Sequence, residues 1–382
     1  MKRIRKILVL LLILGLTSCN TAVKEKEEST QVEDQEIEEQ QGQEEQEVSD
    51  ESEKEEIEIT DQNDRKVKVK VPVERIVCLQ HHSFDILTQL GVEDKIVATE
   101  DKLEGNLGDY ITDLVPEVKD MPRAGTLAEP NVEMVAEQKP DLVLVAAQAN
   151  PDAIAQLEEL GIPTLVITLR GEGAQEEAQN PRLSDADSAY TEGLKWVVET
   201  FGKLTNTEER AEKLWNFCME SRAMVDENVD EIPDDERVRV FIANEEDQTY
   251  GDDKYVGVQL LRAGAVNVAS KDIQGYKPYN MEQLAAWNPD VIIVQDRYPE
   301  VYERIISDPQ YEALKAVQEG KVIVAPYWTK PWGNPDTDSV ALGELWLAHQ
   351  FYPEKIDRET VEKRAKEFYQ EFYNAEFTGQ VE

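Results

Sequence analysis

Apolar residues form short, nearly all-aliphatic runs along most of the chain, and stretches with helical spacing separate these runs. Runs of this length and composition predict parallel β-strands that are covered on both faces. Gly91 and Gly161 stand where the helices between strands are expected to end. The predicted strands cover residues 75–79, 95–99, 141–147, 164–168, 238–243, 291–294 and 321–326.

A long helical stretch separates the first four predicted strands from the last three. Residues 188–230 repeat apolar side chains such as Leu194 and Leu214 at helical spacing, and they carry no strand signal. The pattern therefore predicts an N-terminal α/β lobe over residues 59–187, a helical connector over 188–230 and a C-terminal α/β lobe over 231–382.

The two predicted lobes repeat one helix–strand unit. The segment NVEMVA precedes PDLVLV in the first lobe, and NMEQLA precedes PDVIIV in the second. In each unit the glutamate, Glu133 or Glu282, stands seven residues before the proline. Each unit is predicted to be a helix that turns at Pro-Asp into a buried strand, and the shared register indicates two related lobes.

The first nineteen residues carry an export signal. Basic residues at 2–6 precede a ten-residue apolar run, which is too short to cross a bilayer as a permanent helix. The run ends in LTSC at 16–19, which resembles the lipobox of bacterial lipoproteins; the alternative is an ordinary secretory signal with a chance cysteine. We expect residues 1–18 to be a signal peptide and Cys19 to be a palmitate-bearing lipid anchor on the extracytoplasmic face of the cell membrane.

Residues 19–58 are expected to be a disordered tether between the anchor and the lobes. Positions 20–58 hold 17 acidic and 3 basic residues and no aromatic residue. Such a stretch cannot bury enough apolar surface to offset the entropy of ordering it.

Charge and motif content exclude several classes of function. The chain has 40 Lys+Arg against 80 Asp+Glu, a net charge of −40 at pH 7, which disfavours binding to nucleic acid or to anionic lipid surfaces. Three cysteines are too few for a disulfide framework. The sequence contains no nucleophile elbow, no phosphate-binding glycine loop and no HExxH zinc motif, so these motifs give no support for an enzyme.

These features together resemble the substrate-binding proteins of ABC importers for metal chelates, namely iron–siderophore complexes, haem and cobalamin. The resemblance rests on ITD at 59–61, PVERIVCL at 72–79, LTQLGVEDKIV at 87–97, the two Glu-to-Pro-Asp units and VQLLRAGAVNVA at 258–269. It covers residues 59–375, which is nearly all of the chain beyond the tether.

The resemblance implies an α/β fold of two Rossmann-like lobes joined by a long connector helix, with the ligand in the cleft between the lobes. It implies binding without turnover, a small hinge motion and delivery of the ligand to an ABC permease and its ATPase. In the family one glutamate per lobe docks onto permease arginines, and Glu133 and Glu282 occupy the matching positions; the alternative is two ordinary solvent-facing glutamates. A monomer is expected, with no covalent cofactor besides the lipid.

The first lobe offers two adjacent histidines as candidate ligands. His81 and His82 follow the strand at 75–79, at the strand end that faces the predicted cleft. Imidazole is a common ligand for iron, nickel, cobalt and zinc, so either histidine is a candidate metal ligand through a chelate. Only one is expected to face the ligand unless the chain turns there, because successive side chains of an extended segment point opposite ways. Arg123 is either a further cleft residue or a surface charge.

The second lobe is expected to supply the opposite wall of the cleft from the loops that follow its strands. These loops contain aromatic residues and an arginine, which suit a flat or anionic ligand because rings bury area and guanidinium groups bind oxygen anions. Packing within the lobe is the alternative for the tryptophans. The candidate ligand-binding residues are Tyr250, Tyr255, Arg297, Tyr298, Trp328 and Trp332.

The sequence therefore predicts a lipid-anchored extracytoplasmic protein that captures an iron(III)–siderophore complex. Haem, cobalamin or a nickel or cobalt chelate would use the same cleft. A lipoprotein that keeps the fold for sensing, without transport, is the alternative from a different class. A metal-dependent enzyme has no ligand cluster with an adjacent base to support it.

Overall fold

The computed structural model describes residues 55–173 and 180–381. The signal peptide, Cys19 and the tether as far as residue 54 lie outside the described residues, so the expectations for them stay predictions. In the described ranges, none of the helices combines the length and the apolar character that a bilayer crossing requires.

An antiparallel hairpin opens the described part of the chain. Strand β1 (Glu55–Thr60) pairs with β2 (Lys66–Val71), and the Lys66 Nζ lies 2.9 Å from the Glu58 Oε1 across the hairpin. Residues 55–58, which the sequence assigned to the tether, therefore belong to a strand. Composition missed this because the lysines that compensate the acidic strand come later in the chain.

The first lobe is built on a four-stranded parallel sheet. Its strands are β3 (Ile76–Leu79), β4 (Ile96–Thr99), β5 (Leu142–Ala146) and β6 (Thr164–Ile167). Its helices are α1 (His81–Gln89), α2 (Leu103–Leu107), α3 (Ile111–Leu114), α4 (Val132–Glu137) and α5 (Pro151–Glu159). Side chains of β5 alternate between two apolar cores, with Leu144 in one and Val143 in the other, so both faces of the sheet are covered as predicted.

Two long helices connect the lobes. They are α6 (Ala186–Thr205) and α7 (Glu208–Val229), which pack along each other. Asn206 ends α6 in the left-handed conformation, with φ 61°, and the chain reverses direction there. The connector is therefore a helix pair with a turn rather than one uninterrupted helix.

The second lobe contains a second parallel sheet and a small antiparallel pair. Its strands are β7 (Val238–Ala243), β8 (Gln248–Tyr250), β9 (Ala265–Asn267), β10 (Tyr276–Pro278), β11 (Val291–Gln295) and β12 (Val322–Ala325). Its helices are α8 (Tyr255–Arg262), α9 (Met281–Trp287), α10 (Pro299–Ser307), α11 (Lys315–Gln318), α12 (Glu344–Phe351) and α13 (Arg358–Phe368). β8 pairs with β10, and the other four strands form the parallel sheet.

The two parallel sheets share one strand order. The order in space is β4-β3-β5-β6 in the first lobe and β9-β7-β11-β12 in the second, so each sheet runs second, first, third, fourth. The order reverses between the first and third strands of each sheet, and in open α/β sheets ligands bind beyond the carboxyl ends of the strands at this point. The structure confirms two related Rossmann-like lobes.

The Pro-Asp turns that the sequence singled out have the same structure in both lobes. The Oδ2 of Asp141 accepts a hydrogen bond from the Arg75 N–H at 3.2 Å, and the Oδ2 of Asp290 accepts one from the Arg239 N–H at 3.0 Å. Both arginines also donate to carbonyl oxygens at the end of the preceding helix. Each unit therefore ties its helix to the first strand of its sheet.

Helix α6 lies in close contact with the chain that leaves β6. A Cβ added at Gly193 would stand 2.1 Å from the Arg170 Cα and 2.3 Å from its backbone nitrogen. Only a hydrogen fits there. At Gly105, in α2, the same added carbon would meet nothing within 4 Å.

We expect Gly193→Ala to lower the free energy of unfolding by about 1–3 kcal/mol, because backbone atoms cannot rotate away from the added methyl group. Gly105→Ala is the matched control and should be neutral or stabilising by up to about 1 kcal/mol, since alanine favours a helix over glycine. Urea denaturation followed by tryptophan fluorescence measures both values. Equal stability of the two variants would contradict the tight contact.

Candidate functional site

The chain turns into a helix directly after β3, and this turn brings both histidines to one place. The Gln80 Oε1 accepts a hydrogen bond from the Ser83 N–H at 2.9 Å and caps α1. His81 and His82 are the first two residues of α1, with ring centres 4.3 Å apart. Their rings lie 6.3 and 5.6 Å from the Trp332 ring. The backbone is helical there, so the chain makes the turn under which both histidines could face one ligand.

His82 is buried and neutral. It is 3% exposed, and its Nδ1 lies 3.3 Å from the Asp336 Oδ2. Burial lowers the pKa of His82 well below its usual value, and neighbouring positive charges lower it further. The cations whose charge acts on this ring include Lys330, Arg297 and Lys254. A neutral imidazole keeps one N–H donor and one acceptor.

His81 contacts a buried carboxylate of the first lobe. Its Nδ1 lies 3.1 Å from the Glu100 Oε1, and the Asn106 Nδ2 donates to both Glu100 carboxylate oxygens at 3.0 and 2.9 Å. Arg123 donates to the Glu100 carbonyl oxygen at 3.1 Å and forms an ion pair with Glu104. Arg123 therefore stabilises the segment that contains Glu100 and Glu104.

Arg297 reaches from the end of β11 to the first lobe. Its Nη1 donates to the Asn106 carbonyl oxygen at 3.1 Å, and its Nε donates to the Gln295 Oε1 at 2.8 Å. The guanidinium carbon lies 4.7 Å from the centre of the Trp332 ring and 5.3 Å from that of Tyr298, so the cation lies between two aromatic rings. These contacts bring Arg297, Tyr298 and Trp332 together, and their role in binding a ligand stays a prediction.

Trp332 holds a donor that the described residues leave unused. The residue is 3% exposed, and its Nε1 is buried with no hydrogen-bond partner within the described part of the chain. A buried N–H without an acceptor costs about 1–3 kcal/mol. An acceptor atom of a ligand would remove this cost.

The other predicted ligand residues of the second lobe lie in its packing. Trp328 is fully buried, and its ring centre is 6.4 Å from that of Trp346. The Tyr255 hydroxyl donates to Glu344 at 3.3 Å, and Tyr250 is buried as well. Aromatic residues next to strand ends serve packing as readily as binding, and only tertiary contacts separate the two uses.

Lys330 forms the centre of a buried cluster that joins the lobes. Its Nζ contacts the Asp85 carboxylate on α1 of the first lobe and lies 3.3 Å from Asp336 and 2.6 Å from Asp338 of the second. All four side chains have 0% exposure. Oxygens of the three carboxylates lie within 4.8 Å of one another, a spacing that suits a cation and here surrounds the ammonium group.

Two aspartates of the cluster, Asp336 and Asp338, also bind protons more readily than exposed aspartates do. Burial raises the pKa of Asp338 to about 7 and raises the pKa of Asp336 well above its usual value, although Lys330 opposes both shifts. Burial alone would lower the pKa of Lys330, but the three carboxylates raise it well above its usual value. We therefore expect the lysine to stay charged while the aspartates share protons near neutral pH.

Sequence reasoning did not single out Asp85, Glu100, Lys254 or Lys330. Asp85 stands four residues after His81, so helical spacing would have placed it on the same face of α1. The other three residues carry no local signal, because their role depends on partners that are distant in sequence.

We expect Lys330→Met to lower the free energy of unfolding by about 3–5 kcal/mol, because it leaves buried carboxylates without their cation. The loss should be larger at pH 8 than at pH 5, since protons neutralise the aspartates in acid. The matched control is Lys363→Met, whose side chain is 73% exposed and should cost less than about 1 kcal/mol. Urea unfolding at both pH values would refute the expectation if the two variants were equally stable.

Comparison with known proteins places this geometry in a family. A family model described as "Periplasmic binding protein" matches residues 76–327. The molybdate-binding protein MolA of Haemophilus influenzae is 36% identical over 315 residues, which cover 82% of this chain and 90% of the relative. The Fe(3+)-citrate-binding protein YfmC of Bacillus subtilis is 23% identical over 282 residues, which cover 72% of this chain and 81% of the relative.

Solved structures agree with the family match. The structure of MolA bound to molybdate has a TM-score of 0.80 and 35% identity, and the alignment covers 84% of this chain and 99% of that one. A periplasmic solute-binding protein of Veillonella parvula has a TM-score of 0.68 at 20% identity, covering 85% and 94% of the two chains, and shows the shared fold. The chain belongs to the periplasmic binding protein family, whose members are extracytoplasmic solute-binding components of ABC importers and not enzymes.

Proposed function

We propose that the protein, anchored through Cys19, captures a small oxyanion of the molybdate class between its lobes and delivers it to an ABC permease. The observation that carries the proposal is the convergence of hydrogen-bond donors from both lobes. His81 and His82 begin α1 in the first lobe, and Arg297 and the unpartnered Trp332 N–H lie opposite in the second.

The local charge supports an anionic ligand. The first N–H groups of α1 have no partner within the helix, and a helix amino end carries partial positive charge. Burial and neighbouring cations lower the pKa of His82, and burial raises the pKa of Asp336. With the proton on Asp336 donated to the His82 Nδ1, the neutral ring keeps its one N–H at Nε2 and can donate it to the anion without bringing a charge of its own. Arg297 brings a full charge and a fork of donors that matches a pair of oxyanion oxygens.

The enclosure of the donors supports a small ligand. His82 and Trp332 are each 3% exposed, which suits a tetrahedral anion more than a ferric siderophore, haem or cobalamin. The relative with 36% identity is a molybdate-binding protein, and the relative with 23% identity is a ferric-citrate-binding protein. The iron(III)–siderophore ligand stays a prediction, as do haem, cobalamin and nickel or cobalt chelates.

We expect isothermal titration calorimetry of the purified protein to show saturable binding of molybdate and none of ferric citrate, a ferric siderophore, haemin or cobalamin. Arg297→Met should weaken molybdate binding at least tenfold, because it removes charge-assisted hydrogen bonds to the anion. Arg304→Met makes the same change at an arginine that pairs with Asp247 in the same lobe, and it should bind as the wild type does.

The panel also separates the alternatives. Saturable binding of one ferric chelate without binding of molybdate would contradict the oxyanion proposal and favour the siderophore prediction. A protein that binds molybdate but does not support its uptake would favour a sensing lipoprotein.

Glu133 and Glu282 are proposed as the permease-docking residues, one from each lobe. Each is exposed and is the second residue of its helix, α4 or α9. In both helices an asparagine side chain caps the amino end by accepting from the third N–H of the helix. The equivalent geometry supports paired contacts with a two-fold related permease surface.

We expect the double variant Glu133→Ala and Glu282→Ala to lose most ligand uptake in cells that carry it as their sole copy, with ligand affinity unchanged. The loss would follow from removing two ion pairs at the docking surface. The matched control is Glu159→Ala with Glu300→Ala, which removes one exposed glutamate per lobe from other helices, α5 and α10. Normal uptake by the Glu133 and Glu282 variant would count against their docking role.

A further inference from the structure

We propose that Lys254 is the cationic partner of the bound oxyanion and that the anion binds together with a proton taken up by this side chain. The inference rests on the proposed function and assigns a ligand-binding role to a residue that neither the motifs nor the family match points to.

Lys254 is a buried lysine that forms no ion pair with the described residues, although the charge of the adjacent Asp253 acts on it. The residue is 2% exposed, and it stands at the N-cap position of α8. Among the described residues, the only other buried lysine is Lys330, whose ammonium contacts three aspartates. A largely buried lysine without an ion pair is uncommon, and a bound anion would supply the missing partner.

The side chain ends beside the loop that carries Trp332. A Cβ built at Gly333 would lie 2.8 Å from the Lys254 Cε, 3.4 Å from its Nζ and 3.2 Å from the Tyr250 Cε1. Gly333 directly follows Trp332, and its carbonyl oxygen accepts the Tyr255 N–H at 3.2 Å. Because Gly333 has no side chain, the end of the Lys254 side chain can lie against the loop that carries Trp332.

The charge of Lys254 reaches the histidine of the opposite lobe. It is one of the cations that lower the pKa of His82. Lys254 therefore acts on the same space as His82, Arg297 and the unused Trp332 donor. An ammonium group at this position neutralises part of a dianion's charge, which Arg297 alone leaves uncompensated.

The groups around Lys254 make its proton easier to lose than that of an exposed lysine. Burial and the charge of Arg170 lower the pKa of Lys254 to about 8, although the charge of Asp253 opposes them. The Asp253 Oδ1 accepts a hydrogen bond from the Gly275 N–H at 2.7 Å. The other titratable groups of this region are Tyr250, His82 and Arg297.

Binding of an anion raises the pKa of Lys254 above its value in the free protein. The affinity for the anion should then be highest below about pH 7 and should fall as the pH rises through about 8. Well above pH 8 it should fall by nearly tenfold for each pH unit. Molybdate itself stays a dianion across this range, so the ligand does not contribute the pH dependence.

Calorimetric titration of the full chain with molybdate at pH 6.5, 8 and 9, in buffers of different ionisation enthalpy, tests the inference. At pH 8 the wild type should take up about half a proton per anion bound. Lys254→Met should bind at least tenfold more weakly and take up no proton, whereas Lys254→Arg should keep most of the affinity without proton uptake. Lys271→Met, at an exposed lysine, is the matched control and should behave as the wild type does.

The outcomes separate the two proposals. A wild type that binds no oxyanion at any pH overturns the proposed function and this inference with it. A wild type that binds molybdate, with Lys254→Met unchanged in affinity and in proton uptake, overturns the inference alone. Lys254→Arg guards against misfolding, because it retains a cation at the same buried position and its thermal unfolding can be compared with that of the wild type.

Discussion

One buried ammonium group sets how the two lobes face each other. Lys330 leaves the second lobe in the loop after β12 and contacts Asp85 on α1 of the first lobe. A charge taken out of water has to be paired where it lies, so this contact restricts both the position of α1 and the path of the loop. The same helix begins with His81 and His82, and the same loop carries Trp332. The residues proposed to touch the ligand are therefore held in place by an interaction that does not touch it.

The repeated architecture explains why so few elements are needed to build the site. Both parallel sheets have the same strand order, and in each the carboxyl ends of the first and third strands meet where that order reverses. α1 starts after the first strand of one sheet, and Arg297 follows the third strand of the other. The helix pair α6 and α7 connects the lobes, so the relation between the two sheets is carried by long, packed helices rather than by a loose strand.

An acidic protein can hold an anion because the field in the site is not set by the net charge. The chain carries −40, but exposed charges are screened within about 8–10 Å at physiological ionic strength. Buried groups are screened much less. The charges of Lys330, Arg297 and Lys254 act on the His82 ring, and burial raises the pKa of Asp336 and Asp338 beside Lys330. These cations thus supply positive charge at the site of an acidic protein.

The sequence by itself determined the two α/β lobes, the helical connector and the repeated Pro-Asp unit, because these depend on local periodicity and on which faces are apolar. It also singled out His81, His82, Arg297 and Trp332 as candidate ligand residues, since rare or aromatic residues at strand ends stand out. It could not determine that α1 begins at His81 or that residues 55–58 join a hairpin, since both depend on partners elsewhere in the chain.

Only the tertiary structure decided which of the remaining residues matter to the site. Lys254 and Lys330 are both ordinary lysines in the sequence, yet one is buried without an ion pair in the described part of the chain and the other is buried among three aspartates. Trp328 and Trp332 lie four residues apart in one loop, and one packs in the core while the other faces the histidines. The physical reason is that burial and pairing of charge are properties of contacts between distant segments, and a local pattern of residues does not contain them.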